Sequence, residues 1–95
     1  MGDSRSELHK KDNTRSILNR LAKAGGHLES VRRMVEEGRD TAEVLNQLSA
    51  VRAALGSTGK LIFKEEMEKA LDEAVRTGNY ERVERLNESI NRFIK

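Results

Sequence analysis

From Val44 onward the chain places Val44, Leu48, Val51, Leu55, Thr58 and Ile62 at steps of 4, 3, 4, 3 and 4, then continues through Met67, Leu71 and Ala74. Apolar positions alternating between three and four residues apart form one stripe along an α-helix, whereas a strand would alternate every second residue. The chain has no proline, so no interior position lacks the N–H that the helical ladder needs. The spacing predicts a single helix from Asp40 to about Thr77, roughly 36 residues and about 54 Å long at 1.5 Å per residue. Globular helices average about 10–14 residues. A rod of this length in a chain of 95 residues is expected to pack on more than its own chain.

A matching seam precedes it. Ile17, Leu21, Ala24, Leu28, Val31 and Val35 repeat the same steps, which predicts a first helix starting at Thr14 and stopped by Gly38 as a left-handed cap. Asp40 is expected to cap the second helix, with Glu43 completing a capping box. Gly78 ends that helix. Asn79 then caps a short third helix carrying Tyr80, Val83, Leu86, Ile90, Phe93 and Ile94 on one face. Residues 1–13 lack this periodicity and read as a mobile N-terminal tail before a helical domain over 14–95. Gly25-Gly26 and Gly56-Ser57-Thr58-Gly59 interrupt the helices with small residues. They allow close helix–helix approach, or, at Gly56–Gly59, a break giving four helices instead of three. Gly56-Ser57-Thr58-Gly59-Lys60 lacks the preceding strand and the spacing of a phosphate loop.

Composition supports association. Leu, Ile, Val and Phe together supply 22 residues and aromatics are 3%, so one copy can build only a weak core. The absence of cysteine excludes disulfides, thiolate metal sites and cysteine chemistry. No apolar run approaches the roughly 18 residues of a membrane span, and the polar N-terminus shows no signal peptide. No membrane partner is expected, and the cytoplasm is the expected compartment. Residues 1–33 hold eight Lys/Arg against four Asp/Glu, while the remainder is net acidic. Basic charge at one end suits an anionic partner such as nucleic acid, although a solvated helix face can look the same.

Catalysis finds no support. His9 and His27 stand 18 residues apart, and no Ser-His-Asp or Cys-His arrangement has an evident orienting partner. The carboxylates fall at i, i+4 from cations, as in Glu65–Lys69 and Asp72–Arg76, which is ordinary helix-surface pairing. No cofactor is expected, and the protein is not read as an enzyme.

The stretch Arg32-Arg33-Met34-Val35-Glu36-Glu37-Gly38-Arg39-Asp40, followed by Val44 to Leu55 with its Leu48-Ser49-Ala50-Val51-Arg52-Ala53-Ala54-Leu55, resembles the copper-sensitive operon repressor family. Members of that family also respond to nickel, cobalt, persulfide or formaldehyde. Arg20-Leu21 and Gly26 agree, and the C-terminal Val83, Leu86, Ile90 and Ile94-Lys95 look like the short third helix of the nickel- and formaldehyde-type branch. The resemblance covers 14–95. It implies an all-α, three-helix protomer, with helices 1 and 2 of two protomers forming an antiparallel four-helix bundle and two such dimers forming a flat tetramer. It also implies repression by binding double-stranded operator DNA in the effector-free state. Carried over by position, the DNA-contacting residues are Arg20, Lys23 and Arg52, with Arg15 added. Arg20 and Lys23 share a helix face, and such cations neutralise phosphates.

The sensor positions depart from the family. Its cysteine at the start of helix 2 corresponds to Thr41, its two later ligands to Glu66 and Ala70, and the N-terminal histidine of the nickel branch to His9. Thr and Ala cannot supply the sulfur or nitrogen that copper(I) or zinc needs, and His9 with Glu66 offers at most two ligands. No bound metal is expected. His27 aligns with a glutamine common in the family and reads as a packed or exposed polar residue. The expected function is a homotetrameric repressor released by a small molecule other than copper or a thiol-reactive compound, acting at His9, Thr41, Glu66 and Ala70. Two alternatives stand beside it: a nickel-, cobalt- or zinc-responsive repressor using His9, and a helical scaffold that does not bind DNA.

Overall fold

The computed structural model describes the backbone of residues 3–95 and the side chains from Asn13 onward. Three helices follow one another, α1 (Asp3–Glu36), α2 (Thr41–Thr77) and α3 (Glu81–Ile94). Among the described residues there is no strand. The chain divides into two compact units, Met1–Leu55 and Gly56–Lys95, with the boundary inside α2.

Helix α1 begins at Asp3 instead of near Thr14. Local propensity permits this, since the early segment contains neither glycine after Gly2 nor proline, although it has no apolar stripe. At the other end the sequence expectation holds in detail. Gly38 has φ +68°, its N–H donates to the Val35 carbonyl at 3.1 Å, and the Arg39 N–H donates to the Met34 carbonyl at 3.0 Å. These two crossed bonds make a Schellman motif, which requires the left-handed residue that glycine supplies without strain.

Asp40 follows as the last residue before α2, its carbonyl accepting the first helical bond from Val44 N–H at 3.1 Å. The expected capping box does not form. Glu43 instead accepts from Arg39 Nη2 at 2.9 Å, because the Schellman turn brings Arg39 to the start of the new helix, one turn before Glu43.

In the first unit α1 and the start of α2 form an antiparallel helical hairpin, joined by this short turn. His27, nine residues before the end of α1, meets Gln47, six residues into α2. The seams divide cleanly along their length. On α1, Ala24 and Val31 are buried at 5% exposure, with Ile17 half-buried, while Leu21, Leu28 and Val35 remain 42–62% exposed. On α2, Val51 is buried and Val44 half-buried, while Leu48 and Leu55 are each 41% exposed. Every second seam position therefore faces the hairpin's own core, and the alternate column faces outward.

The second unit pairs the end of α2 with α3. Helix α2 runs through Gly56–Gly59 unbroken for 37 residues, so the described residues form three helices and not four. Ala70, Ala74 and Thr58 are buried here. Gly78, at φ +77°, closes α2 by donating to the Ala74 carbonyl at 2.7 Å. Asn79 is not the N-cap residue. Tyr80 is, accepting the first helical bond from Glu84 N–H at 3.0 Å. Asn79 acts from one residue further out, its Oδ1 accepting from the Glu81 N–H at 3.0 Å. It thereby still satisfies one of the free donors at the helix start.

Close approach explains only one of the helical glycines. A Cβ on Gly59 would enter the Phe93 ring, whereas Gly25, Gly26 and Gly56 face open space within the chain. A methyl at Gly59 should gain helix propensity of up to about 1 kcal/mol and displace the ring. Gly59→Ala is thus expected to leave stability flat or lower in the wild-type background, yet to stabilise by about 0.5–1 kcal/mol once Phe93→Ala has cleared the space. Urea unfolding of the two single variants and the double variant measures this coupling; additive effects would refute the contact.

Candidate nucleic-acid interface

Four cations were singled out by the sequence, and three of them come together. Arg15, Arg20 and Lys23, with Ser16 and Asn19, line one open groove of about 560 Å³ on α1. Positions 16, 19, 20 and 23 follow the 3.6-residue turn, so they share a face. Ser16 and Asn19 add hydrogen-bonding groups of the kind that fix a protein on a phosphate backbone. None of the three cations has an ion-pair partner among the described residues. Among the described residues nothing neutralises their charge. The groove-lining Ser16 and Asn19 went unnoticed in the sequence, where the face spacing would have found them.

Arg52 is exposed on α2 and does not line that groove. It follows Gln47 by five residues, about 140° further round the helix, and Gln47 marks the flank that meets α1. The His27 Nε2–H donates to Gln47 Oε1 at 2.7 Å. An amide oxygen only accepts, so this bond keeps a proton on Nε2. His27 is a half-buried cross-link between the two helices of the hairpin, placed two turns beyond Arg20 on the same face.

The hairpin tip carries the electrostatic pairs. Arg32 Nη2 lies 2.6 Å from Glu29 Oε1, and Arg32 Nη1 lies 3.4 Å from Glu36 Oε2. The guanidinium's hydrogen bond to Glu29 and its charge hold that carboxyl below its ordinary value of 4.5. The same pair raises Arg32, and Glu43 raises Arg39. Arg33, adjacent in sequence, stays outside these pairs.

The sensor positions are distributed along the chain. His9 falls in α1 with its side chain outside the described residues. Thr41 is the exposed first residue of α2. Glu66 and Ala70 are one helical turn apart in the second unit, Ala70 buried and Glu66 half-buried. Both oxygens of Glu66 are engaged. Lys69 Nζ lies 3.4 Å from Oε1 and Arg82 Nη2 lies 2.5 Å from Oε2. The pairing of Lys69 with Glu65 suggested by sequence is thus replaced by an i, i+3 pair with Glu66, and Asp72–Arg76 forms no ion pair among the described residues. Arg82 is the neighbour of Glu66 that the sequence did not reveal. It stands sixteen residues from Glu66, across a turn whose geometry no periodicity encodes. Among the described residues no group of three or more His, Cys, Asp or Glu is placed to hold a metal ion, and no helix is long and apolar enough to cross a membrane.

Comparison with known proteins agrees with this arrangement of helices. The family model for metal-sensitive transcriptional repressors matches residues 13–92. The copper-sensing transcriptional repressor CsoR of Mycobacterium ulcerans (strain Agy99) is 36% identical over 67 residues, covering 70% of this chain and 57% of that protein. The protein of the same name from Mycobacterium tuberculosis (strain ATCC 25618 / H37Rv) is 32% identical over 65 residues, covering 68% of this chain and 55% of that one. The chain thus spans a little over half the length of the curated relatives it matches. Among solved structures, the nickel-responsive transcriptional regulator InrS superposes with a TM-score of 0.72 at 38% identity, covering 83% of this chain and 90% of that chain.

The depressed carboxyl at the hairpin tip makes a pH prediction. A carboxyl held low in the folded state contributes stability that is fully present above its ordinary value and disappears as pH falls through the lowered one. The stability advantage of the wild type over Glu29→Gln should therefore be constant above pH 4.5 and shrink below it. Thermal unfolding of both proteins across the acid range reads this out; an advantage that grows on acidification would contradict it.

Proposed function

The chain belongs to the metal-sensitive transcriptional repressor family, and from that premise we propose that it is a repressor that binds operator DNA as a homotetramer and is released by an effector other than copper or a thiol-reactive compound. The observation that carries the DNA part is the groove of three cations that have no ion-pair partner among the described residues. Arg15, Arg20 and Lys23 stand exposed on one helix beside Ser16 and Asn19, which is the composition of a phosphate-contacting surface. Arg52 would extend the contact from another part of the assembled surface. The reading assigns no role to aromatic stacking, since the chain has one Tyr, two Phe and no Trp, which suits a duplex better than a single strand.

Assembly is supported by the outward seam columns. Leu21, Leu28 and Val35 on α1 and Leu48 and Leu55 on α2 lie on the flank opposite the His27–Gln47 cross-link, as the helical periodicity requires. Two such hairpins placed face to face bury both columns in one four-helix core. Two of those dimers give the tetramer, which repeats the basic grooves at fixed separations.

Three of the four residues at the sensor positions do not fit a soft metal. Ala70 offers a methyl group, Thr41 a hydroxyl, and the Glu66 carboxylate is already paired with Lys69 and Arg82. The chain holds no cysteine for thiol chemistry. Release follows the general rule that an effector preferring a DNA-incompetent arrangement shifts the population by its differential affinity.

Binding to the DNA upstream of its own coding region should weaken steeply with salt. In fluorescence anisotropy, Arg20→Ala and Lys23→Ala should each lower affinity and flatten the slope of log K against log salt by roughly 0.9 per phosphate contact removed. Unchanged slopes in both variants, or equal affinity for random duplex DNA, would contradict the proposal.

A further inference from the structure

Within the second unit a recess of about 290 Å³ opens beside the Glu66–Arg82 pair, on the side of the buried methyl of Ala70. Its charged lining is two guanidiniums, Arg82 and Arg85, and two carboxylates, Glu73 and Glu81; Thr77 and Asn79 supply the neutral polar wall. Arg82 and Arg85 are three residues apart on α3, so their side chains rise from one face. Arg82 already holds a carboxylate, that of Glu66, and Arg85 has no ion-pair partner among the described residues. Because Glu66 also keeps Lys69 on its other oxygen, it can release Arg82 without being left uncompensated. The internal occupant thus indicates the external one. A free carboxylate can take the place of Glu66 on Arg82 in an exchange that leaves every charge paired, with the fork geometry that guanidinium offers such groups. A second carboxylate meets Arg85, and an ammonium group meets Glu73 and Glu81. A divalent cation finds no comparable set, since among the described residues no group of three or more His, Cys, Asp or Glu is placed to hold a metal ion.

We propose that this recess binds a small amino-dicarboxylate, one carboxylate of which replaces Glu66 on Arg82, and that it takes no divalent metal ion. As the effector site this rests on the repressor reading above, but the binding itself is measurable without DNA. The probe is L-glutamate, titrated into the full chain at constant ionic strength and followed by the amide and arginine Nε–H resonances of residues 77–86. Saturable shifts at Arg82 and Arg85 are expected, with none on adding nickel(II) at equal concentration. Glu66→Gln removes the internal competitor, so it should tighten glutamate binding about two- to fivefold, as expected for losing one solvent-exposed ion pair. Arg85→Gln, which disturbs no ion pair among the described residues, should weaken it several-fold. Absence of saturable shifts, weaker binding in Glu66→Gln, or a nickel response centred on Glu66 would each overturn the proposal. Operator binding with no glutamate response would leave the repressor reading standing and remove this one. Glutamate binding in a protein with no operator affinity would do the reverse.

Discussion

Each helix of the hairpin carries a seam two columns wide, and the chain's own fold covers only one of them. Ala24, Val31 and Val51 are buried, while Leu21, Leu28, Leu48 and Leu55 stay nearly half exposed. The side chains that do reach the interior are small, and the leucines are left for something else. Moving each of those leucines from half exposed to buried is worth on the order of 1 kcal/mol, a large share of the stability that a small domain has at all. The proposed assembly would give this column its partner face. The proposed function depends on it, because a single hairpin presents one short groove of three cations, and an operator needs several grooves held in register.

The charges are arranged on a compatible plan. Pairs such as Arg32–Glu29 and Arg39–Glu43 neutralise the hairpin tip, whereas Arg15, Arg20 and Lys23 along α1 have no ion-pair partner among the described residues. In the second unit the position that the resembling family gives to a metal ligand is occupied by a carboxylate already satisfied by Lys69 and Arg82. The chain shares the helical frame of the metal-sensitive repressors, and the proposed function gives one corner of it a different chemistry. That corner is closed by a protein cation, and any ligand that acts there has to compete with a protein anion.

Much of the frame was legible in the sequence because it is set by local rules. The apolar periodicity located α2, α3 and the part of α1 from Thr14 onward, but not the first turns of α1 from Asp3, which carry no apolar stripe, and Gly38 and Gly78 ended two of the helices through the left-handed conformation that few other residues adopt. The failures share a cause. Asp40–Glu43 has the residues of a capping box, but the turn delivers Arg39 to Glu43 first. Asn79 has the chemistry of a cap, yet the helix begins one residue later and uses it from outside. Gly25, Gly26, Gly56 and Gly59 look alike in sequence, and only Gly59 meets a ring, that of Phe93 from the end of α3. At the candidate site the basic groove could be read from helical faces, since its members lie within nine residues. Arg82 could not, because its meeting with Glu66 depends on the direction in which the Gly78–Tyr80 turn sends α3.

Association through the uncovered leucine columns is the claim on which the DNA surface and its control both stand. Light scattering on the purified chain at micromolar concentration measures it directly. A mass four times the 10.7 kDa of one chain is the predicted result, collapsing when Leu28→Lys places a charge in the column; a folded species of single-chain mass would contradict it.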